Sequence, residues 1–456
     1  MKKLMILLLI FTSLISIISC NKTTTTTTTT EKVIEYALEN AVLYEVNIRN
    51  YTEEGTFSAF ETHLPRLKEL GVDILWLMPI HPISVTRRIG SLGSWYSIAD
   101  YYGINPEFGN SADFEHLITT AHSMGFKVIL DIVANHTGWD NDWITDHKDW
   151  YTQNSNGDIV IPPGTNWNDV ADLNYSNADL QAKMINVLKY WVTEYDIDGY
   201  RADYAGGVPT AFWEAAAIEL ASLKPLFMLA EDDSKYSLLN SAFDANYGFE
   251  LMNLIHAVVN KTKTANDIRL YLEENITRYP SSTFPVLYTT NHDINAWEGS
   301  IPELLGDAQE AMNVLMFTSP GMPMIYSGQE INLDKSLKFF DKDEIDWTGW
   351  ETSETFDFYQ TLIQLKKTNE ALWHNSTANI EFIRSSTSGI LCYKRTYGEN
   401  QVIVLINLTS TTRSTQIEYN EAQGVYLEYF TNESTELDSI VQYSLSPWEY
   451  RVYITQ

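Results

Sequence analysis

The sequence predicts an α/β chain, a (β/α)8 TIM barrel with a short inserted subdomain after strand 3 and a C-terminal antiparallel β-sandwich. Three observations carry this expectation. Between residues 41 and 374, short and nearly uninterrupted apolar runs alternate with longer amphipathic ones, the pattern of parallel strands covered by helices. Eight such runs can be counted, the number that closes a barrel. Over 375–456 the pattern changes to short alternating segments such as 390–393, 401–405 and 450–453, as in a small sandwich.

In chain order, residues 1–19 have the layout of a signal peptide, with Lys2 and Lys3 ahead of an apolar run too short for a comfortable membrane span. Ile17-Ile18-Ser19-Cys20 resembles a bacterial lipobox, which makes Cys20 the expected lipidated first residue of the mature chain. Residues 20–40 then form a linker whose threonine tract, 23–30, has nothing apolar to bury and reaches about 25 Å when extended. The expected location is therefore secreted and lipid-anchored to a bacterial membrane.

The barrel strands are expected at 42–46, 74–78, 127–133, 199–203, 226–230, 242–246, 286–290 and 322–326. Helical spacing marks 57–70, 111–124, 180–195, 209–223, 265–277, 307–318 and 356–367, with Gly71 and Gly125 as stops. The longest interval between strands, 136–177, is rich in Asp, Asn, Trp and Gly and reads as the inserted subdomain. Trp139, Trp143, Trp150 and Trp167 divide there between a miniature core and an aromatic platform.

The chain has 456 residues, a net charge of −30 and two cysteines. Such an acidic balance excludes nucleic acid as a partner, which would need clustered Lys and Arg. The cysteine count excludes a disulfide scaffold, and Cys392 is expected to be buried and inert.

In a barrel of this kind chemistry sits at the carboxyl ends of strands. Asp203, Glu231 and Asp293 all fall there, with Asp131 in strand three and Arg201, His136 and His292 close by. A single acid after a strand is commonly a helix cap or an ion-pair member, but several at equivalent ends form a constellation.

With Asp131-Ile-Val-Ala-Asn-His136, Gly199-Tyr-Arg-Ala-Asp203, Glu231 and Asn291-His-Asp293 in this order, the chain resembles the α-amylase family of retaining glycoside hydrolases. Ala171-Asp-Leu-Asn174 and the stretch 321–330 match as well. The resemblance implies an α-glucan or maltooligosaccharide substrate, with Asp203 as nucleophile, Glu231 as acid and base, and Asp293 as the third acid gripping sugar hydroxyls. It implies sugar-binding roles for His136 and His292 and a stacking role for Tyr96. Arg201, two positions from Asp203 on one strand face, is expected to lower the nucleophile's pKa, whereas apolar residues and nearby acids should raise that of Glu231. No cofactor is needed for this chemistry.

Many α-amylases carry a Lys-His pair where this chain has Gly206 and Gly207. The family's structural calcium implies ligands at Asn135, Asp172 and the carbonyl of Gly207, although the short insert leaves the remaining ligand unplaced. Glucan transferases and α-1,6-acting enzymes share the same acids, so linkage and acceptor stay open. A non-catalytic glycan-binding relative would typically have lost one of the acids, and this chain keeps all three.

Overall fold

The computed structural model describes residues 38–373 and 379–455. The expected signal peptide, Cys20 with its lipid, the threonine tract and the junction at 374–375 lie outside the described residues. Among those residues, no helix is long and apolar enough to cross a membrane.

Eight parallel strands close into a barrel: β1 (Leu43–Val46), β2 (Ile74–Leu77), β3 (Lys127–Ile132), β4 (Gly199–Ala202), β5 (Phe227–Ala230), β6 (Ala245–Tyr247), β7 (Phe284–Leu287) and β8 (Met322–Tyr326). Each strand pairs with its neighbours in sequence, and β8 closes on β1 with Met324 opposite Leu43. The strands are buried on both faces, which explains their continuous apolar composition.

Several elements differ from the sequence expectation for identifiable reasons. The expected helix at 57–70 is two helices, Phe57–Glu61 and Leu64–Leu70. Pro65 is the second residue of the latter helix, where a missing N–H costs nothing; in a continuous helix that N–H would be needed and its ring would strike the carbonyl four residues back. β7 begins two residues early and ends at Leu287, leaving Thr289 and Thr290 free to lead into a short helix, His292–Trp297. A further helix, Phe249–Val259, was absent from the expected set.

The insert contains an antiparallel pair, His136–Gly138 with Val170–Asp172, rather than loop alone. Its tryptophans separate. Trp143 packs on Trp150 and Tyr101 at 5.2 and 5.0 Å as core, Trp139 lies beneath Arg87, and Trp167 stays 37% exposed.

The C-terminal part forms a six-stranded and a three-stranded antiparallel sheet. Its join to the barrel is buried: Tyr393 and Thr318 hydroxyls meet at 2.5 Å, and Arg395 Nη1 donates to the Thr318 carbonyl at 3.0 Å. Cys392 is buried among these strands, where desolvation pushes its thiol far up and keeps it unreactive.

Gly199, the first residue of β4, has φ 153°, and a Cβ there would lie 1.9 Å from the Phe227 carbonyl oxygen. The backbone of β5 cannot yield without opening the barrel. Gly199→Ala should therefore cost about 3 kcal/mol or more, read as a lowered midpoint in urea unfolding. An unchanged midpoint would contradict this packing.

Candidate active site

The site is organised by the guanidinium of Arg201, fully buried on β4. Its Nη1 donates to both oxygens of Asp131 at 3.0 and 3.1 Å and to Asp203 Oδ1 at 3.0 Å. Nη2 lies 2.6 Å from Glu231 Oε1, and Nε donates to the Tyr247 hydroxyl at 3.1 Å. Asp131 is the penultimate residue of β3, Asp203 follows β4, Glu231 follows β5 and Tyr247 ends β6. Four adjacent strands thus each send one group to the same cation.

A second array enters from β1 and the loop after β7. Asn291 caps the short helix by accepting from the Ile294 N–H, which sets His292 and Asp293 in its first turn. Asp293 is thus helical, not at a strand end as its sequence position suggested. His292 Nδ1 meets Glu45 Oε1 at 2.5 Å, while its Nε2 lies 2.9 Å from the Tyr96 hydroxyl and 3.4 Å from Asp293 Oδ2. Tyr96 in turn donates to Asp131 Oδ2 at 3.2 Å, joining the two arrays. Its ring is buried and stacked against His292, so it is no plain surface aromatic.

Exposure is graded across the acids. The side chains of Asp203 and Glu231 are 12% and 15% exposed and that of Asp293 43%, so all three border open space. His136, in the insert, reaches the backbone of Tyr96 and has Trp167 5.6 Å away. Burial lowers its pKa to about 3, so the ring is neutral and keeps one N–H to donate.

Sequence reasoning did not single out Glu45 or Tyr204 for this site. Glu45 is fully buried, and its one signal was an acid inside the apolar strand Leu43-Tyr44-Glu45-Val46. Tyr204 has φ 42°, a left-handed conformation unusual for an aromatic residue, and its N–H donates to Glu231 Oε2 at 2.7 Å. Its ring meets Trp167 edge-on at 5.4 Å.

Charge balance governs the protonation of this cluster. Burial raises Glu231 to about 7; Arg201 opposes this, and Asp203 and Asp293 reinforce it. Burial also raises Asp203 to about 6 despite the pull of Arg201. The arginine expected to hold Asp203 below its ordinary value is present, but desolvation outweighs it. Burial disfavours a charge on His292, yet Asp293 and Glu45 overcome that and push it up to about 9.

Among the residues considered for calcium, Asn135 Oδ1 lies 2.5 Å from where a Gly207 Cβ would stand, and Asp172 pairs through the backbone with His136. The donors are all oxygen, as a hard cation requires, but three fall short of the six to eight that calcium takes. Among the described residues, no group of three or more His, Cys, Asp or Glu could hold a metal ion. The set does not by itself fit calcium, and no step below uses one.

Comparison with known proteins agrees with this architecture. The family described as "Alpha amylase, catalytic domain" matches residues 23–169. Alpha-amylase 3 of Dictyoglomus thermophilum is 26% identical over 472 residues, covering 88% of this chain and 91% of that protein. The crystal structure of a maltogenic α-amylase from Thermotoga neapolitana superposes with a TM-score of 0.83 at 27% identity, over 92% of this chain and 99% of the other. An α-amylase structure from Lactobacillus plantarum gives 0.80 at 30% identity, with the same coverage of 92% and 99%.

Because burial raises Asp203 in the folded chain, the folded protein holds that proton more tightly than the unfolded one. The carboxyl's favourable contribution is present at low pH and is lost as pH rises through about 6. Asp203→Asn removes that loss. The variant should resist urea better than the parent at pH 8, by about 1–3 kcal/mol, with the difference vanishing near pH 4. A variant less stable than the parent at pH 8 would refute this account of the charge cluster.

Proposed function

The chain belongs to the α-amylase family of glycoside hydrolases, and we propose that it cleaves α-1,4-glucosidic bonds of starch-like polysaccharide or maltooligosaccharides with retention of configuration. The observation that carries this reading is the sharing of Arg201 by Asp131, Asp203 and Glu231. One buried cation cannot neutralise three carboxylates, so a proton is kept within the cluster near neutral pH. Glu231, raised highest of the acids that touch Arg201, is the group that keeps it.

The Asp203 carboxylate attacks the anomeric carbon while Glu231 transfers its proton to the glycosidic oxygen, and the leaving chain departs as an alcohol. The resulting ester on Asp203 is resolved by water. Glu231, now ionised, takes a proton from that water as its oxygen attacks the anomeric carbon, and Asp203 leaves as carboxylate. Two inversions give retention. Asp293 and the charged His292 hold sugar hydroxyls, with His292 fixed by Glu45 on one nitrogen. Tyr96 offers its ring edge and hydroxyl beside them.

Two measurements test this. On maltoheptaose, kcat/KM should fall above about pH 7 as Glu231 loses its proton, and below about pH 6 as Asp203 gains one. Asp203→Asn should lose about 10⁴-fold or more in turnover while remaining folded. Early products longer than the substrate would replace hydrolysis by glucan transfer, cleavage of pullulan in preference to amylose would replace the linkage, and β-configured initial products would exclude retention.

We also propose that Cys20 carries a lipid holding the enzyme to a bacterial membrane, on the strength of Lys2, Lys3, the apolar run and Ile-Ile-Ser-Cys. Cys20→Ser should move the protein from the membrane fraction to the soluble one. Equal solubility of the two forms would leave an ordinary signal peptide.

A further inference from the structure

A cleft of about 850 Å³ opens between the end of the helix Phe249–Val259, the start of the helix Ala265–Arg278 and the turns of the sandwich. It shares no lining residue with the site around Arg201. Its size lies within the range of about 300–1,000 Å³ usual for ligand pockets.

The lining runs against the character of the chain. In a protein of net charge −30, five cations border this one cleft: Lys261, Lys263, Arg269, Arg384 and Arg413. Three of them have carboxylate partners, with Lys263 on Asp267, Arg269 on Glu273 and Arg384 on Glu418. Among the described residues, Lys261 and Arg413 form no ion pair. The cleft therefore carries an excess of positive charge. Two turns rich in hydroxyls, 385–388 and 409–411, supply donors and acceptors beside it.

The cleft is also preformed. Gly389, at φ 86°, lets the turn of Thr409 approach so closely that a Cβ would lie 2.4 Å from Thr409 Cγ2. Trp448 and Lys261, both on the wall, hold φ of 57° and 61°, where glycine or asparagine would sit at lower cost. At Lys261 the left-handed backbone closes the helix Phe249–Val259, with the Lys261 N–H donating to the Val258 carbonyl and the Thr262 N–H to the Ala257 carbonyl, and the helix dipole favours a cation there. Among the described residues, Tyr204, beside Glu231, is the other bulky aromatic held this way.

We propose that this cleft is a second binding site, for a phosphate-bearing stretch of the α-glucan chain, with Lys261 and Arg413 contacting phosphate ester oxygens. Cations without carboxylate partners and a belt of hydroxyls match phosphate oxygens, and Phe382 and Trp448 give the adjoining sugar rings an apolar surface. The glucan part of this assignment rests on the substrate reading above; the phosphate part rests on the cleft alone.

The test is affinity electrophoresis of the full chain in gels holding phosphorylated amylopectin or the same polymer after phosphatase treatment. Wild type should bind the phosphorylated polymer about tenfold more tightly, and less so as salt is raised. The variant Lys261→Gln/Arg413→Gln should lose that preference and keep kcat/KM on maltoheptaose, which reports that it is folded and catalytically intact. Competition by inorganic polyphosphate supports the phosphate contacts, and failure of polyphosphate to compete counts against them. Equal binding of the two polymers, no binding of either, or full retention of the preference in the variant overturns the proposal. Failure of wild type to cleave maltoheptaose would instead strike the substrate reading, leaving the phosphate result to be judged by itself.

Discussion

One buried guanidinium determines how the rest of this molecule must be built. Arg201 has no exposure to solvent, and a charge in that position is tolerable only if partners surround it. Asp131, Asp203 and Glu231 supply that compensation and exceed it. The excess is the chemically useful part. Burial lifts Glu231 and Asp203 above free carboxylates, and competition among more negative groups than the cation can satisfy adds to that rise. An acid and a base at neighbouring positions follow from burial and this competition together, without any special chemistry in either residue.

The barrel makes such a cluster attainable. Parallel strands end at the same face, so residues far apart in sequence arrive as near neighbours: Asp131 stands opposite Arg201 in the β3–β4 register, and Ala202 opposite Ala230 just before Asp203 and Glu231. Gly199 permits the close approach of β4 to β5 that this register needs. The His292 array is anchored separately, by a helix cap at Asn291 and by Glu45 on β1. Tyr96 ties the arrays together, through its hydroxyl and through a ring that stacks on His292 and faces Arg201.

Much of this could be read in the sequence because the barrel repeats a simple rule. Strands buried on both faces must be apolar along their length, and an acid breaking that run at its carboxyl end stands out, as Asp203 and Glu231 do. Glu45 did not stand out, since it lies within a strand and its partner His292 is 247 residues away. Helix boundaries were legible where glycine stopped them, at Gly71 and Gly125, and misjudged where a proline broke a run of good apolar spacing, at Pro65. The net pKa of Asp203 was misread for a different reason. Sequence displays Arg201 as a neighbour but does not display burial, and burial is the larger effect.

The glycine pair after the nucleophile shows how a local departure from the family pattern is absorbed. A Cβ on Gly207 would lie 2.4 Å from the Tyr204 ring and 2.5 Å from Asn135 Oδ1, and one on Gly206 would lie 2.1 Å from Asp232 Oδ2. Position 207 cannot accept a histidine while Tyr204 keeps its place, and a lysine at 206 would require the Asp232 carboxylate to move. Tyr204 is held there by its left-handed backbone, whose N–H is committed to Glu231, and by Trp167 across the mouth. The ammonium lost at position 206 is not lost to the region, for Lys235, from the loop after β5, brings its Nζ to the Gly206 carbonyl. An aromatic ring has therefore taken the space of a side chain at 207, Asp232 that of one at 206, and a cation has returned from a different strand end. The rim beside Asp203 and Glu231 owes its shape to that exchange, which a reading of the two glycines alone would register only as a loss.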